Sequence, residues 1–379
     1  MKRANPFFVL VSTVRGKMAN LYSKLVNISG KCAVQTFHRV LFKNSQEMIE
    51  VPDESVDLMV TSPPYPMIAI WDDIFSAPNS VIGELLKQGD GLGAFELMHR
   101  ELDRVWAQVY RVLKNGGFAC INIGDAARRI GSEFTLYSNH SRILSYCLKL
   151  GFKPLPEILW RKQTNAPNKF MGSGMLPAGA YVTLEHEFIL ILRKGKQREF
   201  SDPDEKRRRR ESAFFWEERN EWFSDVWKDL KGAKQNTVDV AIRNRSGAFP
   251  FELPYRLINM YSIKGDTVLD PFLGTGTTIV AAMAAGRNSI GFEIDPNFKP
   301  HIFNRFRSIV NFANQRIRER LRLHMDFVRQ RTVTHGDLGY KSKHYGFPVM
   351  TQQETEIFFE KLRQVEMSDV VIKVVYDEK

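Results

Sequence analysis

Short apolar runs rich in β-branched residues alternate along this chain with longer stretches whose apolar residues recur every three or four positions, the pattern of strands spaced by helices. TFHRVLF (36–42) and SVDLMVT (55–61) read as buried strands. Over 95–114, Leu102, Val105, Trp106, Val109 and Leu113 fall on one helical stripe, which Asn115, Gly116 and Gly117 should end. FACINIG (118–124) predicts a strand, 140–150 a helix closed by Gly151, and 157–162 and 186–193 further strands. Between these last two, 163–181 is rich in Gly, Pro and Asn and predicts a loop. Strand, helix and strand then resume at 266–270, 277–286 and 288–294, followed by a basic helix over roughly 300–330. In the tail, Thr351 and Glu354 stand at capping-box spacing and predict a last helix before the strand-like DVVIKVVY (369–376). Helices of this length between strands imply crossover connections, hence an α/β fold with a doubly wound, mostly parallel sheet covered on both faces.

Residues 196–247 break the pattern. They carry thirteen basic and eleven acidic residues, including Arg207 to Arg210, and the aromatics Phe214, Phe215, Trp216, Trp222, Phe223 and Trp227. The chain is therefore expected to divide into an extension (1–35), a first half of the main domain (36–195), a small insert (196–247), a second half (248–335) and an appendix (336–379) to which no chemistry is assigned. Trp222 and Trp227 are expected to be the core of the insert.

The 379 residues suffice for one large domain with a small unit attached. Cys32, Cys120 and Cys147 show no C-x-x-C spacing, which argues against a zinc site or disulfide scaffold and fits a reducing, cytoplasmic setting. No apolar run approaches the roughly 20 residues a membrane span needs. The net charge of +11 is concentrated: residues 1–43 hold eight Lys/Arg and no acid, and 299–334 hold nine against Glu319 and Asp326. Two such regions suit a polyanionic partner, although 305–331 reads equally as the solvated face of a helix. The basic start of the chain reads as a targeting peptide, as a flexible arm, or as residues ahead of a start at Met18.

Candidate chemistry gathers at two turns. TVLDPFLGTGTT (267–278) follows a strand and opens a helix, with Gly274 and Gly276 allowing close backbone approach and Thr277 and Thr278 starting the helix. The strand NSIGFEID reaches Glu293 23 residues after Asp270, where a carboxylate can hold a ribose diol. A nucleotide-like cofactor follows. The missing third glycine and Pro271-Phe272 argue against NAD.

The second turn is TSPPY (61–65), at the end of strand 55–61. Pro63 and Pro64 fix φ and offer no N–H, so the loop is stiff and displays acceptors. The Ser62 oxygen and the Pro63 carbonyl can take the two hydrogens of an exocyclic amine, and Tyr65 can stack on a base drawn out of a helix.

With both turns in place, the sequence resembles a β-group DNA amino-methyltransferase. VDLMVTSPPYP matches the catalytic motif of that family, DPFLGTGTT its methionine loop, GFEID its ribose-binding strand and FPFELPYRLINMYS (249–262) the helix before the glycine loop; the match covers roughly 36–310. The resemblance implies a sheet of the S-adenosylmethionine-dependent methyltransferase type with circularly permuted motif order, the catalytic half preceding the cofactor half. It implies that Ser62, Pro63, Pro64 and Tyr65 hold the target base, and that Asp270, Pro271, Phe272, Gly274, Thr275, Gly276, Thr277 and Glu293 hold S-adenosylmethionine. The family often has Gly-Asp after its first strand; Lys43-Asn44-Ser45 stands there instead, and Asn44 can still accept through its amide oxygen.

The implied reaction is in-line methyl transfer to a flipped base in duplex DNA, without a covalent enzyme–base adduct. The Ser form of the motif favours N4 of cytosine over N6 of adenine. An RNA amine, a small-molecule amine and a non-catalytic DNA-binding role are the alternatives. Cytosine-C5 chemistry would need an activated cysteine, which the sequence does not offer. A cognate restriction endonuclease is the expected functional partner. Base reading would come from the loop 163–181 and from 196–247, as a candidate target-recognition insert. Arg207, Arg208, Arg243 and Arg245 are its candidate guanine readers, and a solvated charge run is the competing interpretation.

Overall fold

Every residue of the strand Val56–Thr61 is buried, a pattern open only to a strand covered on both faces. The computed structural model describes residues 34–162, 171–232, 249–368 and 371–377, and places this strand (β2) near the middle of a ten-stranded sheet. The other strands are β1 (Gln35–Phe42), β3 (Leu113–Ile123), β4 (Phe152–Arg161), β5 (His186–Lys194), β6 (Val226–Trp227), β7 (Thr267–Asp270), β8 (Asn288–Glu293), β9 (Leu362–Met367) and β10 (Ile372–Tyr376). Their order across the sheet is β6-β4-β5-β3-β2-β7-β8-β1-β10-β9.

The five central strands, β3-β2-β7-β8-β1, are mutually parallel. Antiparallel β5 joins β3 to β4 on one side, and antiparallel β10 and β9 extend the other. Period-2 alternation then divides the core. Leu58, Val60, Ile189 and Ile191 face one cluster while Met59, Leu190 and Leu192 face the other. Helix α1 (Gly91–Val112) covers the second face with the expected stripe, and Asp90 Oδ1 caps its start by accepting from Gly93 N at 2.8 Å. It ends at Val112, and the chain passes directly into β3, with Gly116 at φ +88° inside that strand. Helix α2 (Asn139–Leu150) stops at left-handed Gly151 as expected.

Some expectations need correcting. Residues 203–232 do not form a free-standing unit: helices α3 (Pro203–Glu211) and α4 (Trp216–Trp222) lead into β6, which pairs parallel with β4. Trp222 and Trp227 are buried as expected, but Trp227 sits in the main core, next to Ile158 and Trp160. After α5 (Glu252–Tyr261) and α6 (Thr277–Ala284), the basic helix breaks at Ser308 into α7 (Lys299–Arg307) and α8 (Ile309–His335). The helix expected at Thr351 is a single 3₁₀ turn, Gln352–Glu354. Its capping box forms, but Ile357 and Phe359 turn inward to Phe215 and Val349, and Phe358 N donates to Glu211 O at 3.2 Å. Tertiary packing overrides the local signal there. The tail then adds β9 and β10 to the main sheet. Among the described residues, no helix is long and apolar enough to cross a membrane.

Candidate active site

The turns after β1, β2, β7 and β8 open onto one cleft of about 900 Å³ at the carboxyl edge of the parallel strands. Ser62, Pro63, Pro64 and Tyr65 line it, and so do Asp270, Pro271, Phe272, Gly274, Thr275, Thr277, Glu293 and Asn44. Gly276 does not line it. It caps α6 at φ +82°, with Ile302 packed 3.3 Å from where a Cβ would stand. Gly274, at φ +53°, has open space at its Cβ position, so its backbone offers a bare wall for a ligand to approach.

The two turns are physically joined. Thr61 Oγ1 and Thr278 Oγ1 each donate to the Asp270 carboxylate at 2.6 Å, and Phe272 N donates to it at 3.0 Å. Asp270 is thus a brace between the serine loop and the glycine loop. Burial pushes its carboxyl up to about 6. Glu293 accepts from Gly274 N at 2.7 Å and Asp295 N at 2.9 Å, each through one oxygen, which leaves lone pairs for hydroxyl donors. Burial pushes this carboxyl up to about 7. Arg305 holds the glycine loop from behind, donating to Thr275 O, Thr275 Oγ1 and Thr277 Oγ1 at 2.9–3.1 Å.

On the opposite wall, Ser62 Oγ lies 3.0 Å from the Tyr65 hydroxyl, which donates to Glu187 Oε2 at 2.9 Å. Tyr65 has a single proton and gives it to Glu187, so in the Ser62–Tyr65 contact Ser62 is the donor. With its own proton turned away, Ser62 Oγ is left as an acceptor. Asn122 Nδ2 fixes the cluster, donating to Tyr65 at 2.8 Å and to Glu187 at 2.6 Å. Lys162 Nζ meets Glu187 Oε1 at 2.5 Å. Burial and the neighbouring Glu187 carboxylate hold the Tyr65 phenol well above its usual range. Asn139 braces the end of the loop, its Nδ2 donating to Pro66 O at 3.0 Å and Gly124 O at 2.9 Å, beside Met67 in the left-handed region at φ +66°.

Sequence reasoning missed Asn122, Lys162, Glu187 and Arg305. The available signal was a polar residue inside an apolar run, as in ACINIG and HEFILIL. Asn44 is exposed on the cleft wall, with its Oδ1 already accepting from Gln46 N at 2.9 Å. Arg207 and Arg208 lie away from the cleft. Arg207 pairs with Asp204 at 3.1 Å and Glu211 at 3.4 Å, and Arg208 donates to Lys264 O at 3.3 Å. Arg243 and Arg245 lie outside the described residues. The basic helix is partly spent inward too: Arg316 reaches Glu252 and Arg320 reaches Glu218. Cys120 and Cys147 are buried with their thiols pushed up by burial, the opposite of an activated nucleophile.

Comparison with known proteins supplies the context for this geometry. A family model described as DNA methylase (N6/N4 methyltransferase) matches residues 56–304. The Type II methyltransferase M.MthZI of Methanothermobacter thermautotrophicus is 53% identical over 325 residues, 86% of this chain and 90% of that one. The Type II methyltransferase M.MjaI of Methanocaldococcus jannaschii is 50% identical over 280 residues, covering 71% and 91%. Among solved structures, TTHA0409 of Thermus thermophilus, complexed with S-adenosyl-L-methionine, is 32% identical with a TM-score of 0.56, covering 72% of this chain and 96% of that one.

Proposed function

Because the chain belongs to the N6/N4 DNA methylase family, we propose that it moves a methyl group from S-adenosylmethionine to the exocyclic N4 amine of a flipped cytosine in duplex DNA. One observation carries this reading: the Ser62 oxygen is held as an acceptor by Tyr65 and Glu187, in the same cleft as the glycine loop to which Asp270 ties it. An amine nitrogen whose hydrogens are held by acceptors can turn its lone pair out of the base plane toward a methyl donor. The neutral Ser62, where adenine enzymes of this resemblance usually carry Asp, supports cytosine.

S-adenosylmethionine is the methyl donor of this family, and its sulfonium supplies an electrophilic methyl. The chain's own residues fit it. Glu293 has lone pairs for two ribose hydroxyls, Phe272 stands half-buried at the wall, and the Gly274 backbone is open to the cleft. Asn44 occupies the rim where the adenine end would lie. Positioning and hydrogen bonding account for the rate, since no residue forms a bond to the base.

The partner is duplex DNA, and by the Type II relatives a restriction endonuclease of the same specificity would accompany the enzyme. Base reading would fall to residues 163–181 and 196–247, including Arg243 and Arg245; Arg207 and Arg208, with their intramolecular partners, are weaker readers. The test is expression in a methylation-free host, followed by DNA sequencing that separates N4-methylcytosine from N6-methyladenine. N4-methylcytosine at a defined site is expected, and Ser62→Ala and Tyr65→Ala should abolish it. N6-methyladenine would move the reading to adenine. Full activity in both variants would refute the base site.

A further inference from the structure

Glu187 lines the cleft behind the base grip and ends the hydroxyl hydrogen-bond chain that begins at Ser62. Its side chain is 10% exposed and that of its partner Lys162 is 41% exposed, and both line the cleft, so the chain runs along the cleft wall from Ser62 to the more open Lys162. The two hydroxyl donors point the same way, from Ser62 to Tyr65 to Glu187, while Lys162 donates to the carboxylate from the other end and Asn122 donates from the side. We infer that this is a proton path, in which Glu187 takes up the proton that the substrate amine loses, by way of Ser62 and Tyr65.

The inference rests on the amine-methylation reading, and its steps balance. The amine lone pair forms the N–CH3 bond while the S–CH3 bond of the donor breaks and its electron pair stays on sulfur. The nitrogen, now positive, gives an N–H proton to Ser62 Oγ. Ser62 passes its own proton to the Tyr65 oxygen, and Tyr65 passes its proton to Glu187 Oε2. Base and donor product are left neutral, and the released proton rests on Glu187. Lys162 then gives one proton to water and takes that of Glu187.

Asn122 supports a change of protonation at this point. Its Nδ2 lies 2.6 Å from the carboxylate, while its Oδ1 is buried with no hydrogen-bond partner among the described residues. A protonated Glu187 presents an O–H that this oxygen can accept once the amide turns over. The charged and titratable groups facing Glu187 are Lys162, from the end of β4, and Tyr65, from the loop after β2; β3 presents neutral Asn122. His186 and His140 turn to Phe188 instead.

The experiment is single-turnover methylation of a duplex substrate at saturating donor, as a function of pH, for wild type, Glu187→Gln and Tyr65→Phe. Both variants should lose roughly 10²-fold in rate, the lower end of general acid–base effects, with donor and DNA affinity retained. A second readout needs no turnover. In alkaline ultraviolet titration of the donor-free protein, the phenol that disappears in Tyr65→Phe should ionise at lower pH in Glu187→Gln. If Glu187→Gln fails to fold, Tyr65→Phe, which keeps the ring, decides alone. Wild-type rate in Tyr65→Phe or Glu187→Gln, or a loss traced wholly to DNA affinity, overturns the path. A wild type that methylates no exocyclic amine overturns the amine reading itself, and the path with it.

Discussion

Thr61 Oγ1 donates to Asp270 Oδ1 at 2.6 Å across 209 residues of sequence, at the paired ends of β2 and β7. The bond fixes the distance between the loop that holds the base and the loop that holds the donor. Thr61→Val keeps the shape of the side chain and removes the hydroxyl, leaving a buried carboxylate one donor short. It should cost about 1–3 kcal/mol of stability and weaken donor binding. Urea unfolding and calorimetric titration with S-adenosylmethionine would measure both.

Burial raises Asp270 to about 6 and Glu293 to about 7, so both carboxyls bind a proton more tightly in the folded protein than in the unfolded one. Their contribution to stability is complete below the unfolded carboxylate range and is lost as pH rises through about 6 to 7. From these two groups, the donor-free protein should unfold at lower urea concentration at neutral pH than in mild acid. Ribose hydroxyls favour the charged Glu293, so donor affinity should rise with pH through about 7. Glu293→Gln should bind donor weakly and without that pH dependence.

Arg305 is a half-buried cation, pulled below its usual range by desolvation, whose hydrogen bonds go to the glycine loop. Arg305→Met should free Thr275 and Thr277 and raise the donor Kd about tenfold, a change of about 1.4 kcal/mol. Unchanged affinity in a calorimetric titration would show that the loop holds its shape without this clamp.

Arg320 lies on the basic helix, but its side chain is 2% exposed and its guanidinium forks onto both Glu218 oxygens at 2.6 Å, with Tyr255 as a third partner. Arg320→Leu strands Glu218 and should cost about 3–5 kcal/mol. Arg322→Ala, at the exposed end of a pair with Asp326, should cost less than about 0.5 kcal/mol. Chemical denaturation of the two variants separates a structural arginine from a surface one.

The cofactor half was legible because its signal is local. In 267–293 the strand, glycine turn, helix and acid-tipped strand fall within one short βαβ unit, and each residue type has one conformational reason to be there. The stiff Pro63-Pro64 corner was legible for the same reason. The Glu187 cluster was not, because Asn122 and Glu187 meet only through the antiparallel pairing of β3 with β5, where Ile123 faces Phe188. Alternation of strands and helices argued for parallel neighbours, and periodicity alone does not report strand direction. The aromatics of 214–227 were expected inside, yet only the pairing of β6 with β4 shows that they join the main core. At Thr351 the capping signal was present, but six to eight residues on the packing of Ile357 and Phe359 against Phe215 and Val349 outweighs the continuation of a helix.

Strand β1 has a consequence for how the chain comes off the ribosome. Its neighbours on either side are β8 and β10, so Phe37 waits for Asn288, 251 positions downstream, before it finds any strand to pair with. At synthesis rates of roughly 5–20 residues per second, that leaves an unpaired edge for about 10–50 seconds in every nascent chain. Yield should therefore depend on translation speed and on holdase chaperones more than on the stability of the finished enzyme.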